Sequence, residues 1–268
     1  MPTYKLTIEY EGTRYSGWQA QGNTQKTVQG YLIKAAEQVV GGVVELGGAG
    51  RTDAGVHASG QVAHMRTHKT VDPLLLSRKI NDLLPHDIHI IDCAKASDKF
   101  HARHDAETRI YMYQIATRRT AFAKNFVWWI KDRLDVAAMQ QAAEAIPGRH
   151  DFSAFTDKRL KQEESRIVVV EDCALVQHGD LLLFRIAASH FLWKMVRKTV
   201  ACLVEIGRGN IKASDFAGML HADAEPFLPT APPSGLFLES IIYPDEEFDR
   251  PFDPIVGVDT YVPRKTGR

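Results

Sequence analysis

Residues 48–58 read Gly48-Ala49-Gly50-Arg51-Thr52-Asp53-Ala54-Gly55-Val56-His57-Ala58, and the rest of the chain is best read outward from them. An arginine and an aspartate stand two residues apart among small side chains. Gly48, Ala49, Gly50, Ala54 and Gly55 permit close backbone approach, and glycine takes positive φ at little steric cost. The segment is therefore thin, and Arg51 and Asp53 are the charged groups it carries. Such a loop can bring a guanidinium and a carboxylate up to a ligand. It also suits a surface turn in which Asp53 bonds its own backbone. A phosphate cradle is excluded by spacing. From Gly50 to Gly55 the first half of a Walker loop fits, but Val56-His57 follows instead of Lys-Ser/Thr. A dinucleotide fingerprint begun at Gly48 requires glycine at position 53, which is the aspartate.

Around this loop the pattern is mixed. Upstream, Tyr4, Leu6, Ile8 and Tyr10 alternate with polar residues, which predicts a strand. A helix is predicted from Val28 to Val39, with Thr27 as N-cap and Gly41-Gly42 as its stop. Val43–Leu46 and Gln61–Thr67 read as strands, so the Arg51–Asp53 loop lies between two extended pieces. Asp72-Pro73 opens a second helix, with proline at its tolerated first position, and Ile88–Ala94 is another strand. The second half repeats the vocabulary. Thr108–Thr117 is a strand and Val136–Ile146 a helix capped by Asp135. Ile167–Val176 and Leu181–Ala187 form a hairpin through His178-Gly179-Asp180. Phe191–Ile206 is a helix ended by Gly207-Arg208-Gly209, and Leu236–Tyr243 is a last strand. The expected class is α+β, in two αβ halves: a lobe over 1–104 with the aspartate loop, a lobe over 105–244, and a tail over 245–268.

Composition narrows the partners. A chain of 268 residues with 44% hydrophobic and 25% charged residues is ordinary for a soluble globular protein. No apolar signal core opens it and no run approaches a membrane span, so a cytoplasmic protein is expected. Cys93, Cys173 and Cys202 are widely spaced, which suits free thiols in a reducing compartment. The 33 basic and 33 acidic residues balance, but they are unevenly placed. Eight Lys/Arg against three acids lie between Lys99 and Arg133, and six against Glu205 alone between Arg185 and Lys212. Both segments are expected to face phosphates, while Asp245, Glu246, Glu247, Asp249 and Asp253 compensate in the tail.

The Gly50–Ala58 segment closely resembles the active-site signature of the tRNA pseudouridine synthase A (TruA) family. Other segments agree in order and approximate spacing: Ser16-Gly17-Trp18-Gln19, Thr27-Val28-Gln29, Phe100-His101-Ala102-Arg103, Tyr111-Met112-Tyr113, Asp151–Phe155, Phe191–Arg197 and Gly235-Leu236-Phe237-Leu238. The resemblance covers roughly residues 3 to 243. It implies two αβ lobes whose antiparallel and mixed sheets join around a basic central cleft. The implied enzyme is an isomerase converting uridine to pseudouridine at positions 38 to 40 of the tRNA anticodon stem-loop, acting as a homodimer. Where the sequence departs from the family, Trp193 and Lys194 stand at positions that are histidine in some relatives.

The reaction breaks a C–N glycosidic bond, turns the uracil and re-forms the link through carbon. It needs no redox partner and no hydrolysis, so no nucleotide cofactor or metal is expected. The resemblance places Asp53 as a covalent catalyst, attacking either ribose C1′ or uracil C6. It pairs Arg197 with that carboxylate, and arginine among Phe191, Met195 and Val196 suits a buried bidentate pair. It also makes Tyr111 the ring stacked on the flipped uracil, its hydroxyl available for proton handling, Leu236 the apolar contact on the other side of the base, and Arg51 the residue that fills the vacated space or holds the flipped nucleotide's phosphate.

The histidine pairs His64/His68, His86/His89 and His101/His104 lack the helical His-Glu-x-x-His arrangement of a zinc site. Three other readings stay open. One is a related synthase with other RNA targets. A second is a non-catalytic RNA-binding module. The third, an aspartate-dependent glycosidase or nucleoside hydrolase, needs a second carboxylate that the loop does not offer.

Overall fold

The computed structural model describes residues 1–22, 24–156 and 165–258. Strand β1 (Thr3–Tyr10) forms where the alternation predicts it, with Tyr4, Leu6, Ile8 and Tyr10 all buried on one face. Helix α1 (Val28–Val40) starts at Thr27, whose hydroxyl accepts from the Gly30 N–H, and ends at Gly41 in the left-handed conformation. Strand β2 (Glu45–Gly48) follows, then β3 (His57–Arg66). The 48–58 loop therefore joins a hairpin, since β2 and β3 pair antiparallel. Strand β2 lies two residues beyond the predicted Val43–Leu46. It runs on to Gly48, which pairs with Ala63 and sits against the Trp18 ring, where an added Cβ would be 2.5 Å from the indole. Val43, by contrast, is exposed.

Helix α2 (Pro73–Asn81) is capped by the Asp72 carboxylate on the Leu75 N–H, and β4 (Ile88–Ala96) completes the first half. The second half holds β5 (Thr108–Ala116), a short β6 (Trp128–Trp129), α3 (Val136–Ala143), β7 (Gly148–Asp151), β8 (Ile167–His178), β9 (Leu181–Ala188), α4 (Met195–Gly207) and β10 (Leu236–Ile242). Asp135 caps α3 as expected, but the helix stops at Ala143 rather than Ile146. Strands β6 and β7, of two and four residues, are too short to leave a periodic signal.

Helix α4 departs most from expectation. It begins at Met195, four residues after Phe191, because Lys194 takes left-handed backbone angles (φ 63°, ψ 3°) that no α-helix can include. Phe191, Leu192 and Trp193 stand outside the helix. They are apolar and fit its periodicity, but they line a cavity instead.

Among the described residues, ten strands make one mixed sheet in the order β4-β1-β3-β10-β5-β9-β8-β7, with β2 on β3 and β6 on β5. The last strand in sequence lies at the centre. It runs parallel to β3, pairing Phe237 with His57 and Leu238 with Ala58, and antiparallel to β5, pairing Leu238 with Tyr111. β10 thus fuses the strands of the first half to those of the second and brings the end of the aspartate loop beside Tyr111.

The tail is described to residue 258, and residues 259–268 lie outside the described residues. Phe252, Ile255, Val256 and Val258 pack on a second apolar cluster around Met112, Ala116, Leu181 and Leu183. Arg185 clasps this segment through the Pro251 carbonyl at 2.8 Å and lies over the Phe252 ring. Among the described residues no helix is long and apolar enough to cross a membrane.

Candidate active site

The Gly48–Ala58 loop is held by backbone and by buried polar side chains, which leaves its charged groups to the cavity. The Ala49 N–H donates to the Val62 carbonyl at 2.8 Å. Gln61, fully buried on β3, clamps Gly50 at both ends: its Oε1 accepts from the Gly50 N–H at 3.1 Å and its Nε2 donates to the Gly50 carbonyl at 2.9 Å. The Trp18 N–H donates to the Thr52 carbonyl, and the hydroxyls of Thr52 and Tyr10 are hydrogen-bonded at 2.7 Å. A turn closes from the Val56 N–H to the Asp53 carbonyl at 3.2 Å. Gly55, next in that turn, is the loop glycine that uses a positive φ (78°). His57 anchors the exit. Its Nδ1 accepts from the Gly12 N–H, so Nε2 carries the proton and donates to the Asn125 carbonyl. Burial pushes this imidazole below the usual histidine range, which keeps it neutral.

The loop forms one wall of a cavity of about 840 Å³. All five residues expected at the site line it: Arg51, Asp53, Tyr111, Arg197 and Leu236. The Asp53 Oδ2 is 3.2 Å from the Arg197 Nη1, an ion pair between the β2–β3 loop and the first turn of α4. The expected bidentate fork is not what the structure holds. Arg197 divides its donors, with Nε on the Ala231 carbonyl at 2.8 Å and Nη1 on Asp53. The second carboxylate oxygen, Oδ1, accepts instead from the Trp193 indole Nε1 at 2.9 Å. Asp53 remains 28% exposed, open to the cavity.

Tyr111 and Tyr113 sit on the same face of β5 but in different surroundings. The Tyr113 hydroxyl donates to the Pro232 carbonyl at 2.8 Å, deep in the core. Tyr111 lines the cavity, its ring edge-on to Phe191 with centroids 5.0 Å apart. Burial, reinforced by the Asp53 charge, pushes its phenol well above the usual tyrosine range, so it stays protonated.

The cavity is rimmed by Arg51, Arg103, His104, Arg109, His190 and Lys194. Arg109 is fixed by the carbonyls of Ala106 and Ser189. The two basic segments do not face this cavity as wholes. Arg185 is paired with buried Glu239 at 2.6 Å beside the tail. Lys198 is buried and donates to the Phe227 carbonyl, and Arg208 is bound to Asp132 and Glu205. These groups tie segments of the fold to one another, Arg208 doing so at the surface. Among the described residues lining the cavity, Asp53 is the sole carboxylate.

A family model described as tRNA pseudouridine synthase matches residues 6–105 and 142–244, the stretches that carry the loop, β1–β4, α4 and β10. The chain belongs to the tRNA pseudouridine synthase family. It is therefore an enzyme of tRNA processing that isomerises uridine to pseudouridine. A tRNA pseudouridine synthase A of Maricaulis maris (strain MCS10) is 40% identical over 248 residues, covering 91% of this chain and 99% of that protein. One of Myxococcus xanthus is 40% identical over 252 residues, covering 91% and 93%. A tRNA pseudouridine synthase A 2 of Bacillus anthracis is 34% identical over 244 residues, covering 90% and 99%.

The sequence marks Trp193 only as a departure from the family, not as a partner of Asp53. Nothing in its spacing marks that contact, which the structure makes just ahead of the Lys194 turn.

Proposed function

We propose that Asp53 is the covalent catalyst of the isomerisation and that a flipped uridine of the anticodon stem-loop, at positions 38 to 40, occupies the cavity. The observation that carries this reading is the Asp53 carboxylate, open to the cavity and paired with Arg197. In the C1′ route, a carboxylate oxygen bonds C1′ while the C1′–N1 electron pair passes to the uracil. The base turns, C5 bonds C1′, the carboxylate leaves, and the C5 proton is lost to a base as N1 gains one. Atoms balance without a co-reactant. Attack at uracil C6 uses the same carboxylate and the same cavity. Tyr111 offers the stacking face, Leu236 the opposite apolar contact, and Arg51 the cation for the displaced nucleotide's phosphate.

Among the described residues lining the cavity Asp53 is the one carboxylate, whereas a glycosidase pairs two across the bond it cuts. Residues 1–104 and 105–244 serve in this reading as the two lobes flanking the cavity, with β10 shared between their strands. The enzyme works in the cytoplasm as a homodimer that spans the RNA. The free thiols Cys93, Cys173 and Cys202 fit a reducing compartment.

Asp53→Asn tests the central claim. The amide keeps the shape but is a very poor nucleophile, so pseudouridine formation on tRNA is expected to vanish while tRNA affinity and thermal stability hold. Turnover within about tenfold of wild type removes Asp53 from the role, since losing a covalent catalyst costs far more than that.

A further inference from the structure

The two oxygens of the Asp53 carboxylate are held by different donors. Arg197, in the first turn of α4, bonds Oδ2 at 3.2 Å, and the Trp193 indole, just ahead of α4, bonds Oδ1 at 2.9 Å. The Nε of Arg197 is spent on the Ala231 carbonyl, so the guanidinium does not grip the carboxylate as a fork. A carboxylate held at one oxygen turns easily, because the terminal torsion of aspartate is broad. A second donor on the other oxygen fixes the plane. We propose that Trp193 is a positioning residue for the nucleophile: its indole N–H sets the orientation in which Asp53 presents its remaining lone pairs to the substrate. The proposal rests on the reading of Asp53 as the covalent catalyst.

The surrounding structure is built to aim this indole. Lys194 is one of two non-glycine residues with positive φ among the described residues, an arrangement that is strained for a lysine. That turn ends the approach to α4, and the Trp193 indole ahead of it reaches the loop at Asp53. The Trp193 carbonyl accepts from the Thr156 hydroxyl at 3.2 Å, and the Lys194 ammonium lies over the indole, 4.5 Å from the ring centroid. The ring is 37% exposed, so filling the core is not what it contributes. An indole N–H is a donor only and does not ionise across working pH. It can therefore orient a carboxylate without competing for a proton or adding charge beside the Arg197 pair.

Covalent geometry supplies a sharp pair of variants. Indole and imidazole both attach a five-membered ring to Cβ, and the indole Nε1 and imidazole Nε2 occupy the same place in that ring. Trp193→His thus keeps a donor near Oδ1, whereas Trp193→Phe keeps an aromatic ring and removes it. The measurements are the single-turnover rate of pseudouridine formation at saturating tRNA, tRNA affinity, and melting temperature as a folding control. Trp193→Phe is expected to lower the rate about tenfold, the scale of one hydrogen bond to a charged group, with affinity within about twofold. Trp193→His is expected to recover most of the rate. A wild-type rate in Trp193→Phe overturns the proposal. So does a parallel fall of rate and affinity in both variants, which makes Trp193 an RNA contact. Asp53→Asn in the same assay separates the two levels: if it stays active, the reading of Asp53 fails and this inference with it. If it is inactive while Trp193→Phe turns over normally, this inference alone fails.

Discussion

Tyr111 and Tyr113 stand two residues apart on β5 and so point to one face of the sheet. Their surroundings differ in what each hydroxyl meets. For Tyr113 it is the Pro232 carbonyl, and Tyr113→Phe leaves that acceptor unpaired in the core. The variant is expected to lose about 1–3 kcal/mol of stability with turnover nearly unchanged. For Tyr111 it is the cavity that Asp53 also lines. Tyr111→Phe keeps the π face, worth about 1–3 kcal/mol per stacked base, and removes the protonated hydroxyl. tRNA affinity is expected to persist and turnover to fall at least about tenfold, as for the loss of a proton-handling group. Unchanged turnover assigns the hydroxyl no part in the chemistry. At this scale much was legible. Asp53 and Arg51 stand out in the thin loop and Tyr111 enters through the family resemblance, and all three line one cavity. The Trp193 contact with Asp53 was not legible, because the sequence marked Trp193 only as a departure from the family and nothing in it points to a bond with the loop.

The elements around the site show where periodicity fails as a guide. Phe191-Leu192-Trp193 continues the apolar pattern of α4, so the sequence predicts a helix that begins too early. The left-handed turn at Lys194 has no sequence mark, since glycine or asparagine is the usual occupant of such a conformation. Starting at Met195 puts Arg197 in the first helical turn, where its side chain reaches both the loop and the Ala231 carbonyl. Arg197→Lys tests that bridging geometry. Lysine keeps the charge but cannot bond a carboxylate and a carbonyl through the two ends of one rigid plane. Turnover is expected to fall about a hundredfold, the cost of a misplaced reacting group, while tRNA affinity changes within about threefold. Small and equal losses in both make Arg197 a phosphate contact. Calorimetry separates out the loss of the Ala231 tie, which lowers the melting temperature without acting on RNA.

For the molecule as a whole, the arrangement of charge decides what net charge cannot. The chain is neutral overall, yet Arg51, Arg103, Arg109 and Lys194 converge on one cavity rim. Sequence clustering overstated the free basic surface, because Arg185 and Lys198 are engaged inside the fold and the exposed Arg208 is bound to Asp132 and Glu205. Nor does chain order reveal that the final strand is inserted at the sheet's centre, which is what brings the rim residues of both halves around one opening. The salt dependence of tRNA binding separates the two populations of cations. Each cation that meets a phosphate adds about −0.9 to the slope of log K against log salt on a duplex and about −0.7 on a single strand. The wild-type slope is therefore expected to be steep despite the neutral net charge. Arg103→Ala is expected to flatten it by about one and weaken binding to all tRNAs alike. Arg208→Ala removes the same formal charge from a residue already bound to Asp132 and Glu205, and is expected to leave the slope within error of wild type. Equal flattening in the two variants means that affinity follows the overall field of the chain. The rim would then hold no privileged place in RNA binding.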